Sequence, residues 1–493
     1  MTVIDDIDMK DLLLFIFFFL MAGACSSQAR LFNVLSYGAK ADGRTDNTRA
    51  FQKAIDAAAK QGQGIVLVPP GRFVTGVLHL RSNVNLHLEE NAVVLGSAHR
   101  IDYGAGSASA LIVADSQRNI AITGKGTIDG QGALLLKDIY RMLEAGTLQD
   151  AEWKTYNPWH QMRPEERNRP KLIQFRHCDK IDIRGITIKD GLCWIQDYKE
   201  CSHLTIDSIR VKSTVMWNND GIDVVDCRQV KITHCFIDAD DDGICLKSES
   251  AQGRCEDIEI ADCTIRSSAS AFKMGTASRG VFSNIRVRDL KIYDTYRSAI
   301  ALETVDGATL ENIDIRNVTA TNTGNAIFLR LGRRNRAAPA GILRHVYIGD
   351  VRVEVPAGKP DKGYEMEGPP VDGAHNVFPS SIVGLPDHPV EDVVLENIEI
   401  SMPGGASRDT AERAGDSLSE GQTFIPADSV HLVPEREEAY PEFSMFGELP
   451  ASGLFVRHVK GLRLKKVHFI FRKEDFRPAC IFDDVAGLVI DSL

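Results

Sequence analysis

Cys178-Asp179-Lys180-Ile181-Asp182-Ile183 recurs as Cys201-Ser202-His203-Leu204-Thr205-Ile206, as Cys227-Arg228-Gln229-Val230-Lys231-Ile232 and as Cys255-Glu256-Asp257-Ile258-Glu259-Ile260. The leading cysteines are 23, 26 and 28 residues apart. A second short apolar segment follows each copy, such as Gly185 to Ile188, Ser208 to Val211 and Cys263 to Ile265. Later copies keep the pattern without cysteine: Ser283 to Val287, Leu310 to Ile315, Leu343 to Ile348, Asp392 to Leu395 and Leu462 to Leu464. Alternation turns Ile, Val and Leu inward and charges outward, as in strands buried on one face. A unit this small cannot bury its own apolar face, so the copies must stack into a solenoid of about ten turns. The equivalent cysteines then form an internal ladder of small apolar side chains. The nine cysteines after Cys25 are an odd number and cannot all pair within the chain, so the ladder is preferred to disulfides.

Within the repeat, the stretch Trp217 to Ser248 carries the chemistry. It reads Trp217-Asn218-Asn219-Asp220-Gly221-Ile222-Asp223, then Asp241-Asp242-Gly243-Ile244-Cys245-Leu246-Lys247-Ser248. Asp220 and Asp241 are 21 residues apart, about one turn of the coil, so stacking brings Asp220 beside Asp241 and Asp242. Like charges that close push their pKa values apart, leaving one carboxyl protonated while others ionise. Cleavage of a glycosidic bond needs such a paired acid and base. Asp-Gly and Asn-Asp are also ordinary turn formers. Turn formation explains each half alone but not their recurrence one repeat apart.

Composition sets the outer limits. The chain has 493 residues, is 43% hydrophobic and 25% charged, and has ample apolar material for a core. A net charge of −11 with no basic stripe argues against nucleic acid as a partner. An acidic substrate would have to be held by local cations. No Cys-x-x-Cys pair or Cys/His cluster is present, so neither a metal nor another cofactor is expected.

Residues 1–30 read as a leader. Leu12 to Leu20 is a run of nine apolar residues, too short for a bilayer but suited to a signal-peptide core. Ala22-Gly23-Ala24 and Cys25-Ser26-Ser27 follow, which looks like a bacterial lipoprotein signal with a lipid anchor on Cys25. Met9-Lys10 makes a better start than the acidic stretch Thr2 to Asp8. A plain cleaved signal is the alternative. Either way the chain is expected to be exported, to the periplasm or cell surface as a lipoprotein and otherwise secreted. Residues 31–493 are expected to form one unit, working as a monomer.

That unit opens with Phe32 to Gly43, then a helical pattern over Arg49 to Lys60 with Ala50, Phe51, Ala54, Ile55 and Ala58 on one face. Asp46 or Thr48 can cap it, and Gly62 and Gly64 end it. Short strands follow at Ile65–Val68, Val77–Leu80, Val84–Leu88 and Ala92–Leu95. Gln131 to Arg169 breaks the rhythm. Its Trp153, Tyr156, Trp159 and His160 either stack on sugar rings or pack the loop against the body. Pro356–Pro389 and Pro403–Pro450 read as longer excursions over the coil or cleft wall, with disorder possible in Gly404–Gln422.

This opening, with the repeat behind it, resembles the polygalacturonases of glycoside hydrolase family 28 over most of the chain. The resemblance implies an all-β fold, a single-stranded right-handed parallel β-helix capped by the short N-terminal helix. The family's Asn-Thr-Asp-Gly motif appears as Asn218-Asn219-Asp220-Gly221, and its Asp-Asp pair as Asp241-Asp242. The resemblance implies Asp241 as the general acid, Asp220 and Asp242 as the residues that activate water, and inversion at the anomeric carbon. A polysaccharide or oligosaccharide of pectin type is the implied substrate.

Two family motifs are replaced. Gly-His-Gly falls at Ala269-Ser270-Ala271, so Ser270 stands for the histidine, and Lys273 is a compensating charge. The Arg-x-Lys pair that grips a galacturonate carboxylate falls at Ala301-Leu302-Glu303. Glu303 repels a carboxylate unless it is protonated or paired with Lys273. The expectation is a retained hydrolytic centre with an altered subsite. Asn218, Lys247, Ser270, Lys273, Glu303 and Arg330 are its substrate-binding candidates. Arg330, with Arg333 and Arg334, either reaches an acidic group along the cleft or solvates a turn. Trp194 and Asp197, upstream of the site, are candidates to line the cleft, with a place in the core as the alternative for Trp194. A lyase on the same fold is the rival, with calcium on the acidic cluster and Lys247 or Lys273 as base. A non-catalytic glycan-binding β-helix is the other alternative.

Overall fold

The structure is a computed structural model and describes residues 30–154, 163–360, 378–406 and 427–492. The leader with Cys25, the aromatic trio Tyr156, Trp159 and His160, and most of the span Gly404–Gln422 lie outside the described residues.

Every strand pairs in parallel with its equivalent one turn on, giving three columns that wind as a right-handed β-helix. One inward row of the middle column shows why the chain coils. It runs Phe32, Val66, Leu86, Ile122, Ile183, Ile206, Ile232, Ile260, Val287, Ile315, Ile348, Leu395 and Leu464, and closes on Ile490, which is exposed on the last turn. Those fourteen rungs exceed the ten or so expected. The rungs of Phe32, Ile122 and Ile490 carry no copy of the repeat quoted above. Burying one such side chain contributes about 1.5–3 kcal/mol, and no repeat can do so without the next.

The corners are made by residues in the left-handed region, among them Asn83, Asn119, Asp257 and Asn284. Short polar side chains tolerate that conformation. Here they also bond from turn to turn, Asn119 Nδ2 to Asn83 Oδ1 at 3.0 Å and Asn284 Nδ2 to Asp257 Oδ1 at 3.1 Å.

Cys178, Cys201, Cys227 and Cys255 are buried free thiols that precede residues in register, so the ladder exists. Phe282, Leu310 and Leu343 continue it. The helix spans Thr48–Lys60 and buries the five residues expected. Its N-cap is Asn47, whose side chain turns back to Lys40 and Thr45, while Asp46 accepts from the Thr48 amide at 2.9 Å.

Residues 131–169 hold an unpredicted helix, Gly132–Glu144, burying Leu135, Ile139 and Leu143 at helical spacing. Trp153 packs on Tyr140 with ring centroids 6.0 Å apart and lies against the core, so it secures this excursion. The late excursion folds residues 427–453 onto the outer face of the first column. There Val433, Phe443, Met445, Phe446 and Leu449 form a second apolar cluster with Ala301, Phe328 and Phe455.

Candidate active site

The first column carries on its outer face the successive partners Gln174, Asp197, Asp223, Cys245, Lys273, Ala301 and Phe328. The turns entering these strands also stack. Gly221 N donates to Asp242 O and Gly243 N to Ser270 O, both at 2.9 Å. Asp220, Asp242 and Ser270 are therefore equivalent positions on three turns, and Asp241 stands one residue before its row. Strand alternation then aims Asp223, Cys245, Lys247 and Lys273 to the same side.

Four charged contacts organise the cleft floor. Lys247 Nζ lies 2.7 Å from Asp220 Oδ2 and also bonds Asp223 Oδ1. Lys273 Nζ lies 3.1 Å from Asp242 Oδ2 and 3.8 Å from Glu303 Oε2. Asp220 and Asp242 offer carboxylate oxygens within 4.8 Å of each other and of Cys245 Sγ. That grouping has a metal-like donor set, but the two lysine ammonium groups already supply positive charge to it. Burial works against their charge, yet their aspartate partners hold both lysines well above the ordinary pKa. Neither can accept a proton as the lyase alternative requires.

The three aspartates are driven apart. Burial, then Asp220 and Asp242, push Asp241 up to about 7. Burial also presses on Asp242, but Lys273, Lys247 and Arg297 outweigh it and hold that carboxyl below its usual range. The Ser270 amide donates to Asp242 Oδ1 at 3.0 Å in the same sense. Burial raises Asp220, opposed by Lys247. Asp241 keeps part of its surface open to the cleft, whereas Asp220 and Asp242 are buried. The arrangement offers a protonated carboxyl beside an ionised one.

Asn218 takes the left-handed conformation and donates to Asp241 Oδ2 at 3.4 Å. Its oxygen accepts from Arg163 and Arg169, each at 2.9 Å. Trp194 is half-buried in the cleft, with Lys171 and Lys247 ammonium groups 3.9 and 3.7 Å from its ring centroid. Asp197 is buried and paired with Lys171 at 2.6 Å.

Several candidates take other parts. Arg330 is fully buried and donates to the carbonyls of Gly384, Glu435 and Arg436, so it fastens the late excursion and does not face substrate. Arg333 bonds the Ala338 carbonyl and Arg334 pairs with Asp306. Ala301 is 1% exposed in the second cluster, so an arginine there would meet packed side chains and no open subsite. Glu303 is buried against Lys273 and Thr276, and burial pushes it up to about 7. Ser270 acts on Asp242 through its main chain.

Sequence reasoning missed Asp223, which strand parity with Lys247 would have found. It also missed Arg297, Tyr440 and Glu442. Arg297 Nε is 3.2 Å from Glu442 Oε1, and Tyr440 Oη is 3.3 Å from Lys273 Nζ. Those two contacts span more than 140 residues of chain, and no local pattern announces them.

The model of glycosyl hydrolases family 28 matches residues 62–359, and that of rhamnogalacturonase A/epimerase, pectate lyase-like, matches residues 31–91. A probable polygalacturonase of Vitis vinifera is 23% identical over 424 residues, covering 78% of this chain and 77% of its own. An exopolygalacturonase structure from Thermotoga maritima is 25% identical with a TM-score of 0.57, covering 76% of this chain and 87% of its own. The family 28 exopolygalacturonase of Yersinia enterocolitica is 17% identical with a TM-score of 0.66, covering 94% and 78%. The last likeness is one of fold.

Proposed function

The chain belongs to the glycosyl hydrolases of family 28, a pectin-degrading glycosidase, and from that premise we propose an inverting hydrolysis run by Asp220, Asp241 and Asp242. The observation that carries the proposal is the stacking of Asp220 and Asp242 on successive turns with Asp241 beside them in one cleft, where Asp241 is pushed up to about 7 and Asp242 is held below its usual range. Asp241 gives its proton to the glycosidic oxygen as the bond to the anomeric carbon breaks. A water held between Asp220 and Asp242 forms the new bond to that carbon and loses its proton to Asp242. Lys273 and Lys247 hold Asp242 as a carboxylate, and Lys247 opposes the burial that raises Asp220. Solvent then returns the proton from Asp242 to Asp241.

The sugar beside Lys273 is neutral or esterified on this reading. Among the described residues, the cations Lys247, Lys273 and Arg297 each stand against carboxylates of the protein, which weakens their pull on a uronate there. A branched or modified pectin such as rhamnogalacturonan fits that site better than polygalacturonate. We also infer export through the leader, with Cys25 lipidated. Mass spectrometry of the native N-terminus tests that, and an unmodified Cys25 in the mature chain refutes the anchor.

The test of the hydrolase is incubation with polygalacturonate, methyl-esterified pectin and rhamnogalacturonan, followed by NMR of the first-formed anomer. Inverted reducing ends are expected. Retained configuration, or unsaturated products absorbing in the ultraviolet, would overturn the mechanism.

A further inference from the structure

The outer face of the first column ends abruptly beside the catalytic aspartates. Lys273 is on the cleft floor, but its next partners, Ala301 and Phe328, are each 1% exposed beneath Phe443, Met445 and Phe446. The covering segment is fastened from below. Arg330 donates to the carbonyls of Glu435 and Arg436, and Arg457, one ladder position from Val383, to those of Val433 and Val430. The Arg333 amide bonds Glu437 O at 2.8 Å. The segment also enters the cleft through Glu442 on Arg297 and Tyr440 on Lys273. Tyr440 is 48% exposed although the aromatic residues just after it, Phe443 and Phe446, are buried. In the opposite direction the same face continues over Trp194, Lys171 and Gln174, all partly exposed.

Resting on the hydrolase reading, we propose that residues 427–453 are a fixed end wall, that the enzyme therefore acts only at chain ends, and that Tyr440 is the surface against which the terminal sugar ring sits. A glycan lying along the coil would have to continue across Ala301 and Phe328, which the wall occupies. Only a terminus can then reach Asp241. The wall is part of the packed structure: its carbonyls satisfy two buried guanidinium groups, and moving it would expose the second apolar cluster. Tyr440 offers an apolar ring face with a polar edge, which suits a sugar's C–H surface and its hydroxyls.

The experiment follows products through the first few per cent of turnover on polygalacturonate, methyl-esterified pectin and rhamnogalacturonan oligosaccharides labelled at the reducing end. One small product of constant size is expected, with almost no fall in polymer viscosity. A ladder of lengths with early loss of viscosity would overturn the end wall while leaving the hydrolase reading intact. No cleavage of any of the three would overturn the hydrolase reading, and this proposal with it. Tyr440→Ala should raise KM for the shortest cleaved oligosaccharide about tenfold, with kcat changed less than about threefold, the loss of one ring contact in uniform binding. Tyr440→Trp should recover KM. An unchanged KM in Tyr440→Ala would remove Tyr440 from the sugar site.

Discussion

Lys273 Nζ stands 3.1 Å from Asp242 Oδ2, a cation from one turn of the coil clamped on a carboxylate of the turn before. This contact separates the roles of the adjacent Asp241 and Asp242. Asp242 is held as an anion, and Asp241, part-buried beside that anion, is pushed up to about 7.

Asp241→Asn should lower kcat by ~10²–10⁴-fold, the usual worth of a general acid, with the fold unchanged. Asp220→Asn and Asp242→Asn should be similarly severe, because each removes half of the water-binding pair. Turnover rates beside circular dichroism spectra check this. Near-normal rates in all three variants would sink the site.

Activity should fall as pH rises through about 7, because Asp241 must be protonated to act. On the acid side the limb should lie below the ordinary carboxylate range, because Asp242 must be ionised and its pKa is lowered. Arg297 lowers Asp241, so Arg297→Met should move the alkaline limb upward. Profiles of kcat/KM against pH measure both limbs. An alkaline limb that stays put in Arg297→Met would show that its charge does not reach Asp241.

Polygalacturonate should be cut more slowly than a neutral or esterified pectin, because Glu303 partly spends the charge of Lys273 that would otherwise draw an incoming carboxylate. Glu303→Gln should raise the rate on polygalacturonate relative to the esterified polymer. Rapid cleavage of polygalacturonate by the unmodified enzyme would place carboxylate recognition elsewhere.

Arg330→Met should destabilise the protein by roughly 3 kcal/mol, since it strips the guanidinium from three carbonyls at ~1–3 kcal/mol for each buried group left unpaired. Thermal unfolding measures this, and proteolysis within 427–453 should quicken. An unchanged melting temperature would mean that Arg330 does not secure the wall.

All nine cysteines from Cys178 to Cys480 should titrate as free thiols in denaturant, given that each is unpaired in the structure. Finding most of them oxidised would contradict the ladder.

The spacing of Cys178, Cys201, Cys227 and Cys255, with Ile and Val at alternate positions behind each, was enough by itself to specify a coil. A repeat that cannot bury its own apolar face has only its neighbour to bury it against. Because register follows from that row, the stacking of Asp220 on the turn of Asp241 and Asp242 was legible too. The tertiary structure decided what local pattern does not encode. Arg330 looks like a cleft cation in sequence, yet residues 435 and 436 turn it into a buried fastener. Glu303 looks repulsive, yet burial pushes it up to about 7 against the pull of Lys273, which pairs with it. Tyr440 and Glu442 carry no motif and enter the site only because an excursion far along the chain folds back over the first column. Periodic burial is a property of neighbouring residues and can be read from their order. Charge pairing and closure of a cleft depend on which distant side chains share the same few ångströms.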